Sequence, residues 1–275
     1  MTVAKPAIWM ANLSALINPA GYKRVAGKRF VTPRKRSQTD RGREFVDSLE
    51  AGWITGPLGR QRVHAGGDGP LVLFQHGWEA DSADLSTLAE AVMKAGFAVA
   101  LIDGPAHGAS EGERATMVDF AAGLGAAAAE LGRPHAVVAH SMGTPATVVA
   151  MRDHGLAPAA VVSLGAPNAL PDNVAFQGRA MGLSGRAIRL LLEAIEFRMG
   201  RPAEEFRVER DAPAFSARAL IVHGTNDRIA PPVAAERIAA AWPGAELALF
   251  DDLGHRGVLR DQAVLERVVG FLKDG

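Results

Sequence analysis

The sequence predicts an α/β fold: a mostly parallel central sheet with helices on both faces, and a small helical cap. Two observations carry this expectation. Short, unbroken apolar runs alternate with longer segments whose apolar residues recur at helical spacing, the rhythm of strands buried on both faces by crossover helices. One connection is far longer than the others and holds a helical stripe of its own, which marks an insertion. A chain of 275 residues, 48% hydrophobic and 22% charged, has the size and composition for one such unit.

The elements follow in order. Trp53-Ile54 and Arg60 to His64, with Gly56-Pro57-Leu58-Gly59 between them, read as a hairpin. Leu71 to Phe74 is the first buried strand. Asp84 to Ala95 is a helix with Leu85, Leu88, Ala89, Val92 and Met93 on one face, closed by Gly96. Phe97 to Ile102, Ala136 to Val138, Ala160 to Leu164, Ala219 to Val222 and Leu247 to Phe250 are further strands. Helices are expected over Met117–Leu131, Met142–His154, Val233–Ala241 and Leu259–Leu272. Between Leu164 and Ala219 lie about fifty residues, too many for one crossover helix. Ile188, Leu191, Leu192, Ile195 and Met199 form a stripe there, with Ser184 placed to cap its start. The expected organisation is an N-terminal helix and basic arm over residues 1–50, then a domain over 51–275 with the cap at about 168–215.

The N-terminal stretch Ala7 to Ile17 is apolar, but Asn12 and Ser14 interrupt it and no clear small-x-small site follows, which argues against a signal peptide. An amphipathic helix lying on the domain is the better reading, and the location expected is cytoplasmic. Tyr22 to Arg43, with Arg34-Lys35-Arg36, reads as a solvated arm. Lys and Arg number 30 against 30 Asp and Glu, so the total charge gives no reason to expect nucleic acid or an anionic membrane as partner. No apolar run is long enough to span a bilayer. Cysteine is absent, which removes disulfides, a thiol nucleophile and thiolate metal sites.

The chemistry concentrates at strand ends, where open α/β sheets bind ligands. Ala136-Val137-Val138-Ala139-His140-Ser141-Met142-Gly143 runs from an apolar strand through a small-x-Ser-x-Gly turn into a helix. A nucleophilic serine there projects from a sharp bend, and its flanks must be small. Gly143 meets that demand fully and Ala139 less so.

With His76-Gly77 after the first buried strand, Asp103-Gly104-Pro105-Ala106-His107-Gly108 after the second, His223-Gly224-Thr225-Asn226-Asp227 and Gly254-His255, the chain resembles the α/β-hydrolase superfamily of the single-domain serine esterase and lipase type. The resemblance runs from about Val63 to the C-terminus. It implies the chain order nucleophile, acid, base. His255 is then the general base, in the glycine-flanked loop after the last strand. Asp227, at the end of the strand Ala219–Val222, is the acid that orients it, with Asp251 and Asp252 as competitors. The oxyanion hole is expected from the backbone N–H of Met142, directly after the nucleophile, and, on the resemblance, from that of Trp78. His76, Gly77, His140 and Gly143 are expected to support these groups, and His107 to be structural.

The resemblance implies a serine hydrolase acting on small to medium carboxylic esters through an acyl-serine intermediate. Thioesters and amides would use the same constellation, and a non-catalytic binding protein on this scaffold is the alternative from another class. A dehalogenase or epoxide hydrolase of this fold would carry Asp where Ser141 stands. No His-x-His or His-Glu-x-x-His spacing and no phosphate-binding glycine loop occur, so neither a metal nor a cofactor is expected.

Overall fold

Side chains of a strand alternate between faces, and here both faces are apolar, so layers must cover both. The computed structural model describes residues 5–274. Three helices come first: α1 (Lys5–Ile17), α2 (Pro19–Phe30) and α3 (Asp40–Asp47). The hairpin β1 (Glu50–Gly56) and β2 (Gly59–Gly66) follows, then β3 (Leu71–Gln75), α4 (Ser86–Lys94), β4 (Ala98–Ile102), α5 (Met117–Leu131), β5 (Ala136–His140), α6 (Gly143–Asp153) and β6 (Ala160–Leu164). The insertion holds α7 (Leu170–Met181), α8 (Gly185–Met199) and the single turn α9 (Val208–Asp211). The chain closes with β7 (Arg218–Gly224), α10 (Val233–Ala241), β8 (Glu246–Phe250) and α11 (Gln262–Lys273).

The strands form one sheet in the order β1-β2-β4-β3-β5-β6-β7-β8. The β1–β2 and β2–β4 pairs are antiparallel, and every later pair is parallel. Val72, Phe74, Val138, Val162, Leu220 and Val222 enter one core with residues of α4 and α11. Leu73, Ile102, Val137 and Ala139 enter the core beneath α5 and α6. Val161, Ala219 and Ile221 meet Ile238 of α10 and the fully buried Trp242, whose indole N–H donates to Ala217 O at 2.8 Å. The alternation expected of a doubly covered sheet is thus met residue by residue.

Some boundaries moved for local reasons. Ser82–Leu85 forms a 3₁₀ turn before α4, because Asp81 and Asp84 close a reciprocal cap there. The last helix begins at Gln262 rather than Leu259, because Asp261 caps it through the N–H groups of Ala263 and Val264. The stretch Tyr22–Arg43, expected as a solvated arm, is mostly helical. The Asn18 side chain caps α2, the Thr39 side chain caps α3, and only residues 31–39 between them lie outside helix. No helix among the described residues is long and apolar enough to cross a membrane.

The insertion is pinned at its base. Ala169 pairs with Arg207, Leu170 N–H donates to Phe206 O at 3.0 Å, and Val208 N–H donates to Asn168 O at 2.7 Å. Ser184 caps α8 as expected, accepting from Ala187 N–H at 3.2 Å. The apolar stripe of α8 is divided among several partners. Ile188 packs on Gly178 of α7, whereas Ala187, Leu190 and Leu191 pack on Ala15 and Tyr22 from the first two helices. At the crossing of α2 and α8, a Cβ on Gly27 would stand 2.9 Å from that of Ala194, so only glycine lets the helices approach this closely.

Candidate active site

The loops that leave the carboxyl ends of β3, β5, β7 and β8 meet at one edge of the sheet. At the end of β5 the chain turns through Ser141 at φ 53°, a left-handed conformation that costs a non-glycine residue energy. Ser141 N–H donates to Leu164 O at 2.8 Å, which anchors the turn to β6. Gly143 lies so close to β3 that a Cβ would stand 2.5 Å from Gln75 O and 2.9 Å from His76 O. The requirement for a small residue after the serine is therefore a matter of contact with the neighbouring loop.

The structure brings Ser141, His255 and Asp227 into one line. Ser141 Oγ is 2.9 Å from His255 Nε2, and His255 Nδ1 is 2.7 Å from Asp227 Oδ2. The second carboxylate oxygen, Oδ1, accepts from Ile229 N–H at 2.8 Å and Ala230 N–H at 3.0 Å. Asp227 thus also performs the local turn-capping role that its sequence context offers. Burial pushes its carboxyl up, but the hydrogen bond and charge of His255 and the two N–H groups outweigh that, leaving it below the ordinary carboxylate value. Asp251 and Asp252 are both exposed, and Asp252 sits at φ 59° in the turn before the histidine loop.

Trp78 and Met142 present backbone N–H groups that meet no protein acceptor among the described residues. The loop carrying Trp78 lies against the serine: a Cβ on Gly77 would stand 2.8 Å from Ser141 Cβ. His76 fixes its orientation. Its Nδ1–H donates to Gly77 O at 2.7 Å while its Nε2 accepts from Gly104 N–H at 2.8 Å. The carbonyl of Gly77 and the N–H of Trp78 belong to one trans peptide, so holding the carbonyl one way turns the N–H the other. The Trp78 ring packs against His107 with centroids 4.8 Å apart and against Phe30 at the end of α2 at 6.4 Å.

Three further histidines lie close by. His140 is buried and its Nε2–H donates to His255 O at 2.9 Å, tying the His255 backbone to the end of β5. His223, for which no role was expected, is buried beneath Asp227 and donates to Ala230 O at 2.9 Å. His107 donates through Nδ1 to Pro105 O and accepts from Glu79 N–H at 3.1 Å, as a structural residue would. Burial lowers the pKa of all three, to about 3 for His107 and His140, so they stay neutral. No group of His, Asp or Glu that could hold a metal ion occurs among the described residues.

The comparisons with known proteins come to the same architecture. A model of the alpha/beta hydrolase family matches residues 63–267. An esterase of Pyrococcus furiosus superposes with a TM-score of 0.68 at 18% identity, over 89% of this chain and 97% of that one. An esterase of Thermogutta terrifontis gives a TM-score of 0.62 at 20% identity, over 82% and 98%. A bromoperoxidase of Bacillus anthracis gives 0.64 at 16% identity, over 82% and 100%. None of the curated proteins compared matches the sequence. At these identities the structural likeness is one of fold.

The neutral histidines have a measurable consequence in acid. Below about pH 6.5 the unfolded chain takes up protons at His107 and His140 that the folded chain refuses until its lowered values near 3. Stability should therefore fall on acidification from about pH 6 to about pH 4, by up to about 1.4 kcal/mol per pH unit for each of the two. Asp227 does not contribute in this window, because its lowered folded value postpones its loss to more acid conditions. Urea unfolding across this range should show the slope, and His140→Phe should reduce it by about one proton's worth.

Proposed function

The chain belongs to the alpha/beta hydrolase family, and from that premise we propose that it is a serine hydrolase cleaving small to medium carboxylic esters through an acyl-serine intermediate. The observation that carries this reading is the unbroken line from Ser141 Oγ through the His255 ring to Asp227, beside two backbone N–H groups without acceptors.

In this proposal Ser141 Oγ attacks the ester carbonyl carbon as its proton passes to His255 Nε2. Asp227 holds the imidazole with Nδ1–H toward itself and stabilises the imidazolium that forms. The carbonyl oxygen becomes an oxyanion facing the N–H groups of Met142 and Trp78. Collapse of the tetrahedral intermediate breaks the bond to the alkoxide, which leaves with the proton from Nε2. Water then repeats the sequence against the acyl-serine, with His255 again taking and returning the proton. The neutral state of His140, beside His255 with ring centroids 4.7 Å apart, keeps a second positive charge away from the imidazolium.

We read α7 and α8 as the cap over this site. Leu170 and Met199 are half-buried and border the same apolar cluster as Trp78 and Met142, which suits an acyl wall of modest length. The local environment supports esters first, because an alkoxide needs only modest help to leave whereas an amide nitrogen needs more careful protonation.

A fluorophosphonate probe should label Ser141 covalently, and Ser141→Ala should abolish the label. A panel of p-nitrophenyl esters of increasing acyl length, run beside acyl-CoA thioesters and anilides, then reads the substrate class. Faster turnover of acyl-CoA would move the assignment to a thioesterase, and absence of labelling and turnover would favour a binding protein. Asp227→Asn should lower kcat by roughly 10⁴-fold with the fold intact, whereas Asp252→Asn should leave it within a few-fold. Met199→Trp should shift the preferred acyl length toward shorter chains while the melting temperature changes little.

A further inference from the structure

The net charge of zero conceals two unequal parts. Residues 1–39 contain eight of the 30 Lys and Arg, whereas all 30 Asp and Glu come later, so the first part stands at +8 and the remainder at −8. Such segregation within one chain is the electrostatic pattern of a surface that meets a polyanion.

The same segment carries an apolar face turned outward. Trp9, Met10, Leu16 and Ile17 of α1 follow one another at helical spacing with the half-buried Leu13, and Trp9 and Ile17 are 65% and 70% exposed. The opposite, small-residue side of α1, with Ala11 and Ala15, is the one packed on α8. This inverts the usual arrangement, in which the larger apolar side chains face the protein. The helix is firmly seated nonetheless. Asn12 Nδ2 donates to Gly182 O at 3.0 Å, Asn12 Oδ1 accepts from Ser184 N–H at 2.8 Å, and Arg186 Nε donates to Ala15 O at 2.8 Å. On the adjoining α2, Arg24, Lys28 and Arg29 are exposed together with Val25.

We propose that α1 and α2 form a docking surface for an anionic lipid bilayer, with the α1 stripe lying among the acyl chains at the interface and the α2 cations on the headgroups. The charge complementarity carries the choice of partner. Two copies meeting through this face would set Arg24, Lys28 and Arg29 of one against those of the other, which opposes a symmetric dimer. A nucleic acid would satisfy the cations and leave the Trp9–Ile17 stripe in water. A bilayer surface takes both: apolar side chains a few ångströms deep, tryptophan at the boundary, and basic residues on the phosphates. At 13 residues α1 is too short to cross but suited to lie flat, and the −8 remainder turns the body of the protein outward.

The test is co-sedimentation of the full chain with phosphatidylcholine vesicles, with and without phosphatidylglycerol, at low and high salt. Binding is expected only where phosphatidylglycerol is present, and it should weaken with salt. The pair Trp9→Ser with Ile17→Ser, and separately Arg24→Glu with Lys28→Glu, should each weaken it by about tenfold or more. Both pairs should keep the parent melting temperature and the parent rate on a water-soluble ester. The proposal is overturned if the chain ignores phosphatidylglycerol vesicles. It is also overturned if size exclusion gives a dimer that Trp9→Ser with Ile17→Ser dissolves, or if duplex DNA binds more tightly than the vesicles.

Discussion

The parallel pairing of β3, β5, β6 and β7 is the constraint on which the site depends. Gln75 stands beside Ala139, His140 beside Leu164, and Leu164 beside Val222, so these strands end nearly level. Their loops leave the sheet together and have only one edge over which to turn. A one-residue slip of β5 would send Ser141 toward the opposite face and exchange every side chain between the two cores. The apolar filling of both cores is therefore what fixes the position of the serine. The strained turn at Ser141 is sustained by that surrounding structure, through the bond to Leu164 and the close contact of Gly143 with β3.

Around this edge the chain uses neutral imidazoles as backbone pins. A neutral imidazole is both a donor and an acceptor, so one ring can join two segments without bringing a charge. His76 joins the β3 loop to Gly104, His107 joins Pro105 to Glu79, and His140 and His223 hold the carbonyls of His255 and Ala230. Of the eight histidines, four thus hold the loops around Ser141 and one faces the serine directly. Rigidity of this kind is what preorganised donors need if they are to stabilise a developing oxyanion without moving.

The first two helices connect the periphery to this centre. They pack on α8, and the end of α2 places Phe30 on the ring of Trp78. The first two helices thus reach the segment bearing Met199 through α8 and the loop bearing Trp78 through Phe30. Arg256, directly after His255, pairs with Asp84 at 3.1 Å and so ties that loop to the turn before α4.

Much of this was legible in the residues alone. The strands of the sheet announced themselves by their apolar runs, because burial on both faces leaves continuous apolar stretches that polar loops cannot imitate, whereas α2 and α7 carried no such signal. Ser141, Asp227 and His255 could be picked out because strand ends are marked by glycine-rich turns, and the geometry brings those three together. Tertiary structure alone decided three things. The partners of His140 and His223 are backbone oxygens, 115 positions away for the first and 7 for the second, and a backbone oxygen leaves no mark in sequence. The orientation of the Gly77–Trp78 peptide depends on the adjacent His76 ring, which Gly104 N–H holds in place from the loop after β4. Finally, α1 is apolar on both sides, so no pattern within it says which side is buried. The close fit of Ala11 and Ala15 against α8 settled that, and left Trp9, Met10, Leu16 and Ile17 facing out.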